Sequence, residues 1–234
     1  MNKKVIAVHQ PNFLPWTGFF YKWFKADLLV FLDDAAFSRR SFINRVRIRN
    51  TSNTPWLTIP VLQKGRFNQL ICQTEIQNDI LWRDSVRGKL RSCYGKAKFF
   101  KDYFPEFEAV IKKEYHLLVT LNIELLKWLS DKLEIETPWV LSSSLKGVEG
   151  KATERLVSIC RCLGATHYLS GFGGQKYQKK EIFNKHHIEL VIYDFKHPVY
   201  PQFSGDFIPG LSTIDLLFNC GPESSDILKK FSHG

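Results

Sequence analysis

The chain has 234 residues, 44% of them hydrophobic and 14% aromatic, which suits one α/β domain or two small ones with a real core. No apolar run approaches the length of a membrane span, and the opening MNKKVIAV is too short and too soon interrupted for a signal peptide, so a cytoplasmic protein is expected. The formal charge of +10 is compatible with nucleic acid, an anionic membrane or a phosphorylated small substrate, but the excess is spread along the chain and no nucleic-acid module motif accompanies it.

The elements follow in order. Val5, Ile6, Ala7 and Val8 form a continuous apolar run, the pattern of a strand buried on both faces. His9, Gln10, Pro11, Asn12, Pro15, Trp16 and Gly18 come next. Two prolines make this a shaped loop. Its plain alternative is a Pro-rich connecting turn, although such a turn has no need of His, Gln and Asn. FFYKWFK then starts a helix, and DLLVFLDD gives a second buried strand ending in Asp33 and Asp34. Strand, loop, helix and strand make a βαβ unit with a parallel pair.

The next stretch, AAFSRRSFINRVRIRN, alternates in part, with Arg45, Arg47 and Arg49 against Val46 and Ile48. Period two predicts a strand with one basic face. Arg39, Arg40 and Arg45, beside Asn44, suit phosphate or carboxylate recognition, and a solvated edge strand is the alternative. WLTIPV and LICQTEI read as an antiparallel pair. From Trp82 to about Glu134 the pattern is helical, with Pro105 near a helix start. His116 is a surface residue on this reading.

TPWVLSSSL is a strand and a Ser-rich turn, KATERLVSICRCLGA a helix stopped at Gly164, THYLSGFGGQKY a strand and a Gly-rich turn, KKEIFNKHH a helix and IELVIYDF a strand. This alternation predicts an α/β fold with a mostly parallel, Rossmann-like sheet. Residues 1–50 and 137–220 would supply the α/β core, with 51–136 an antiparallel and helical insertion. In the tail, Ser212 caps a helix, Asp215 stands at the capping-box position and Gly221 stops it.

The strand ends should gather chemistry at one edge: His9 to Gly18, Asp33 to Arg45, Ser142 to Gly150, and Ser170 to Tyr177. Gly171, Gly173 and Gly174 would let backbone amides approach a phosphate, with an ordinary turn as the alternative. A His-bearing loop after the first strand resembles the nucleotidyl-transferase superfamily, without its HxGH spacing. No GxSxG elbow and no HExxH motif is present. Five scattered cysteines suggest reduced thiols, CRC at 160–162 has no metal-ligand spacing, and no metal site is expected. His197 reads as structural.

VHQPNFLPWTGFFYK, LDDAAFSRRSFINRVRI, WLTIPV, THYLSGFGG, HPVYPQF and FIPGLSTIDLLFNCG are together similar to the WbqC-like protein family, in order and over nearly the whole chain. The resemblance implies a single domain, 1–234, acting in bacterial O-antigen and other surface-polysaccharide tailoring. It implies transfer of a small acyl group, glycyl among the candidates, to the amine of a nucleotide-linked amino sugar. The family's polar signature falls on His9, Gln10, Pro11, Asn12, Pro15, Trp16 and Gly18, then Asp33, Phe37, Ser41, Asn44 and Arg45, then Ser170, Gly171 and Tyr177. One departure is that Tyr177 is followed by Gln178 and Lys179 where the family tends to carry an acidic residue.

On this reading His9 is the base and Asp33 orients it or receives the ammonium. Arg39, Arg40 and Arg45 hold phosphates with the amides of Gly171 to Gly174, and Ser170 belongs to the same turn. Gln10, Asn12 and Asn44 donate to a carbonyl oxygen, and Trp16 or Tyr177 stacks on a sugar or base. The partners are the nucleotide-linked amino sugar and a small acyl or aminoacyl donor, with nucleic acid not expected. No cofactor is demanded. ATP enters only in the rival reading of an adenylating ligase at the same site, and a non-catalytic sugar-pathway binding protein is a further rival.

Overall fold

The structure is a computed structural model that describes residues 3–230, and all of their side chains but that of Lys176. Met1 and Asn2, part of the rejected signal-like opening, lie outside the described residues. The chain divides into two compact units, each made of non-contiguous segments. The first comprises Met1–Gln10, Tyr21–Asp33 and Glu136–Lys196, as far as these are described, and the second comprises Pro11–Phe20, Asp34–Ile135 and His197–Gly234.

The first unit is the expected α/β structure. Its strands are β1 (Val5–His9), β2 (Leu28–Phe31), β5 (Trp139–Leu141), β6 (His167–Gly171) and β7 (Glu189–Tyr193). They form one sheet in the order β5-β2-β1-β6-β7, and every neighbouring pair is parallel. The chain moves outward from β1 on one side and then returns to its other side, which is the doubly wound, Rossmann-like pattern. Apolar runs without alternation form these strands because both faces are covered. On one face Ile6, Val8, Val30 and Tyr168 pack with Val157 and Cys160 of helix α5 (Ala152–Cys162) and Phe183 of helix α6 (Lys180–Lys185). On the other, Trp23 of helix α1 (Thr17–Phe24) meets Phe31 edge-on at 5.3 Å and donates its indole N–H to the Thr137 carbonyl.

The second unit holds the antiparallel pair β3 (Arg45–Arg47) and β4 (Trp56–Thr58), with helices α2 (Trp82–Tyr94), α3 (Phe100–Lys112), α4 (Leu118–Lys132), α7 (Thr213–Cys220) and α8 (Ser224–Lys230). Helix α4 buries Leu118, Leu121, Leu125, Leu126 and Leu129, the three- and four-residue spacing that gives it one apolar face.

Four local readings are corrected here. LICQTEI is not a strand: Ile71–Gln73 is a 3-10 turn, because Thr74 turns its hydroxyl back onto the Leu70 carbonyl, and one isolated bridge, Val61 to Ile76, is what remains of the pairing. The helical run after Gly95 is two helices, with Pro105 one turn inside α3 rather than at its start, where buried Phe100, Phe104 and Phe107 hold the helix across the proline. Arg49 does not share an exposed basic face with Arg45 and Arg47. It is buried, with its guanidinium on Gln202 and on the carbonyls of Ser204 and Asp206. Ser212 does cap α7, but Asp215 does not close a capping box, because its carboxylate accepts from the Tyr200 hydroxyl at 2.8 Å and the Gln202 amide at 2.9 Å.

Candidate active site at the carboxyl edge of the sheet

In the first unit the carboxyl ends of five parallel strands lie along one edge. β1 pairs with β2 as far as His9 and Phe31, but with β6 only as far as Ala7 and Leu169. β6 keeps its pairing with β7 on to Gly171 and Tyr193. The ladder between β1 and β6 therefore ends early, between the two strands whose connections run to opposite sides. Ligands of doubly wound sheets bind at such a parting.

His9 is the last residue of β1. Its Nδ1 lies 3.0 Å from the Gln10 carbonyl. A carbonyl can only accept, so the neutral ring carries its proton on Nδ1 and its lone pair on Nε2. Burial, with the nearby positive charge of Lys22, pushes the imidazole down to about 3 against a weak opposing pull from the Gln10 carbonyl. At working pH His9 is neutral, in one tautomer. The ordinary histidine value that made it attractive in the sequence is not the value it has here.

Lys22 is a buried charged residue at this edge that the sequence reading did not single out. In FFYKWFK it looks like an ordinary solvated helix position. In the structure it is 5% exposed, and its Nζ donates to the Val8 carbonyl at 2.7 Å. That carbonyl lies just beyond the last β1–β6 pair. The ammonium also sits 5.9 Å from the centroid of the Tyr168 ring. Among the described residues no carboxylate pairs with it. Burial pushes the amine down to about 7. The signal that could have found it is a single lysine inside an otherwise aromatic helical turn.

Asp33, two residues past β2, is 1% exposed. One carboxylate oxygen accepts from the Ser142 hydroxyl at 3.1 Å and the Ser143 amide at 3.0 Å, and the other from the Ser143 hydroxyl at 2.6 Å. The Ser-rich turn after β5 is thus Asp33's partner, tying the ends of β2 and β5 together.

At the end of β6, Ser170 is 1% exposed and its hydroxyl donates to the Gly171 carbonyl at 3.2 Å. The Gly-rich turn is a 3-10 helix, Phe172–Tyr177. Gly174 is closely surrounded: a Cβ there would stand 2.7 Å from Ser170 Oγ and 2.9 Å from Gln178 Nε2, so those side chains would have to shift. Gly173 faces open space, and Gly171 lies against the Tyr193 hydroxyl. Gln178, at the place of the missing acidic residue, hydrogen-bonds the Tyr168 hydroxyl, and its Oε1 is buried without a partner. Tyr177 is 79% exposed, and its carbonyl accepts from Thr153.

Asn12, Trp16, Arg39, Arg40, Asn44 and Arg45 belong to the second unit. Asn12 is buried. Trp16 lies over Gly18, where a Cβ would fall 2.3 Å from its ring, and stacks at 5.0 Å on His197. The loop carrying them is pinned by Asn122, which donates to the Pro11 and Ile43 carbonyls, and by Ser212, whose hydroxyl donates to the Leu14 carbonyl. Asn44 is buried, and its amide donates to the Ile59 carbonyl. Arg39 and Arg40 are exposed, Arg39 at the rim of a surface cavity of about 300 Å³ with Phe37, Arg66 and Phe67. Arg45 donates to the Arg40 carbonyl and lies 4.1 Å over the Trp56 ring, which Arg47 also approaches at 4.9 Å. The five arginines thus divide into two exposed, two stacked on Trp56 and one buried.

Among the described residues no helix is long and apolar enough to cross a membrane. Compared with known proteins, residues 10–227 match the model of the WbqC-like protein family. The chain is also similar to the Uncharacterized protein Rv1507c of Mycobacterium tuberculosis, at 33% identity over 228 residues, covering 97% of this chain and 98% of that protein. No solved structure matches.

Proposed function

From its place in the WbqC-like protein family, to which this chain belongs, we propose that the protein is a transferase of surface-polysaccharide sugar tailoring, moving a small acyl group such as glycyl onto the amine of a nucleotide-linked amino sugar. The observation that carries the reading is the placement of a neutral, single-tautomer His9 beside the ammonium of Lys22 at the carboxyl end of the central strand. In the step so assigned, the sugar amine attacks the acyl carbon and loses a proton to His9 Nε2. The new C–N bond forms as the bond between the acyl carbon and the donor's leaving group breaks, and the leaving group departs with the electron pair. Asp33, fixed by Ser142 and Ser143, stiffens the neighbouring strand end, and Ser170 with the turn after it lines the diphosphate side. The reading implies a cytoplasmic protein.

The test is mass-spectrometric detection of an acylated nucleotide sugar, after incubation with an activated glycyl donor and a panel of nucleotide-linked amino sugars. Product that disappears in a folded His9→Ala variant supports the reading, and undiminished product in that variant removes it. A second reading, an ATP-dependent adenylating ligase, is favoured by the all-parallel doubly wound sheet with a histidine ending its first strand. Pyrophosphate release that depends on an amino acid separates it from simple transfer.

A further inference from the structure

We propose that Lys22 is an anion-binding residue, and that its ammonium receives a phosphoryl oxygen of a diphosphate where β1 and β6 part. The inference rests on the transferase reading and adds to it the residue that holds the substrate's charge.

Three observations carry it. Lys22 is a long cationic side chain turned inward, 5% exposed, and its hydrogen-bond partner among the described residues is a neutral carbonyl, that of Val8. A buried charge is normally retained only with an opposite charge, and here none is built in. That carbonyl is beyond the last β1–β6 pair, at the switch point of the sheet. Across the parting, β6 ends in Ser170 and Gly171, followed by a 3-10 turn in which the backbone at Gly174 lies close to the polar groups of Ser170 and Gln178. An arriving diphosphate would supply the missing counter-charge.

The other titratable groups around the amine are His9 on β1 and Tyr168 on β6. Behind Tyr168 stand Tyr193 on β7 and Cys160 on α5, with Tyr21 of α1 beside Tyr193. Burial raises Tyr21, Tyr168, Tyr193 and Cys160, so none of them is anionic near neutral pH. Because burial leaves Lys22 near 7, an anion that favours its charged form draws in a proton.

The experiment is titration calorimetry of inorganic pyrophosphate at pH 7.5, in two buffers of different ionisation enthalpy, with acetate as a second probe. The wild-type protein should bind pyrophosphate with net proton uptake, and bind acetate at least tenfold more weakly. Lys22→Met should weaken pyrophosphate at least tenfold. Lys22→Arg should keep binding within tenfold but lose the uptake, and it carries the test alone if Lys22→Met does not fold. No pyrophosphate binding by the wild type, equal binding of acetate, Lys22→Met within twofold of wild type, or uptake persisting in Lys22→Arg each overturns the proposal. Binding as expected without any transfer activity removes the transferase reading alone. Turnover of a nucleotide-linked amino sugar by Lys22→Met at the wild-type KM removes the anion site alone.

Discussion

Lys22 holds down the basicity of His9. Its ammonium is bonded to the carbonyl of Val8, the residue before His9, and its charge adds to burial in keeping the imidazole neutral. The charge on Lys22, after burial, disfavours a proton on His9. Activity should accordingly show no limb near the ordinary histidine value. A single limb near pH 7 is expected in kcat/KM, and it should vanish in Lys22→Arg. A limb at 6 to 6.5 that survives Lys22→Arg would refute that effect.

Stability should rise with pH across the neutral range. Lys22 falls from 10.5 when unfolded to about 7 when folded, so above pH 7 the unfolded chain binds more protons than the native one. The same holds for His9 between about 3 and 6.5. Each pH unit inside the Lys22 window contributes up to about 1.4 kcal/mol. Cys160, raised by burial from 9.0 to about 12, works in the opposite sense above pH 9. Urea unfolding at pH 7.0 and 8.5 should therefore give a more stable protein at 8.5, and Lys22→Met should remove most of the difference.

Asp33 accepts three hydrogen bonds from Ser142 and Ser143 while almost fully buried. Asp33→Ala removes the acceptor of the buried Ser142 hydroxyl and of two part-buried Ser143 donors and should cost about 1–3 kcal/mol, the range for one buried donor that loses its acceptor. Ser143→Ala removes one hydroxyl donor and should cost less, about 1 kcal/mol. Denaturant midpoints decide it: an Asp33→Ala midpoint equal to wild type would show that the serines do not depend on the carboxylate.

Gly18 is reserved by Trp16, because a methyl group there would meet the indole at 2.3 Å. Gly18→Ala should destabilise by about 1–3 kcal/mol through overpacking. In a Trp16→Ala background the same substitution should be nearly neutral. A double-mutant cycle with no coupling between the two sites would contradict the contact.

The sequence pattern made some of this legible. The unalternating runs VIAV and LLVF suited strands covered on both faces, and the alternation of strands and helices over 138–195 pointed to a parallel sheet. His9 and Asp33 could be placed at strand ends from polar residues following apolar ones. Lys22, Arg49 and Asp215 could not be read in the same way. Each is a charged residue in a local pattern that predicts a surface role, and each is buried by packing between segments distant in sequence. Arg49 is joined to Gln202 across 153 positions, and no local periodicity around it carries that information. The Leu70–Ile76 stretch reads as a strand without alternation to support it, and there the Thr74 hydroxyl bond to Leu70 wins over a ladder.

The order of the strands also sets a timetable. β1 precedes the other strands of the sheet along the chain, and it stands in the middle of the sheet. One flank can be covered as soon as β2 follows, but the other waits for β6, and the Lys4 to Thr166 bond at its foot joins residues 162 apart. Until β6 follows, that edge of β1 stays unpaired beside the apolar run Val5 to Val8, the kind of surface that sticks to other chains. Pairing of β1 with β6 joins segments far apart in the chain and is thus a late event in folding, and the edge that carries His9 and Ser170 is complete only then.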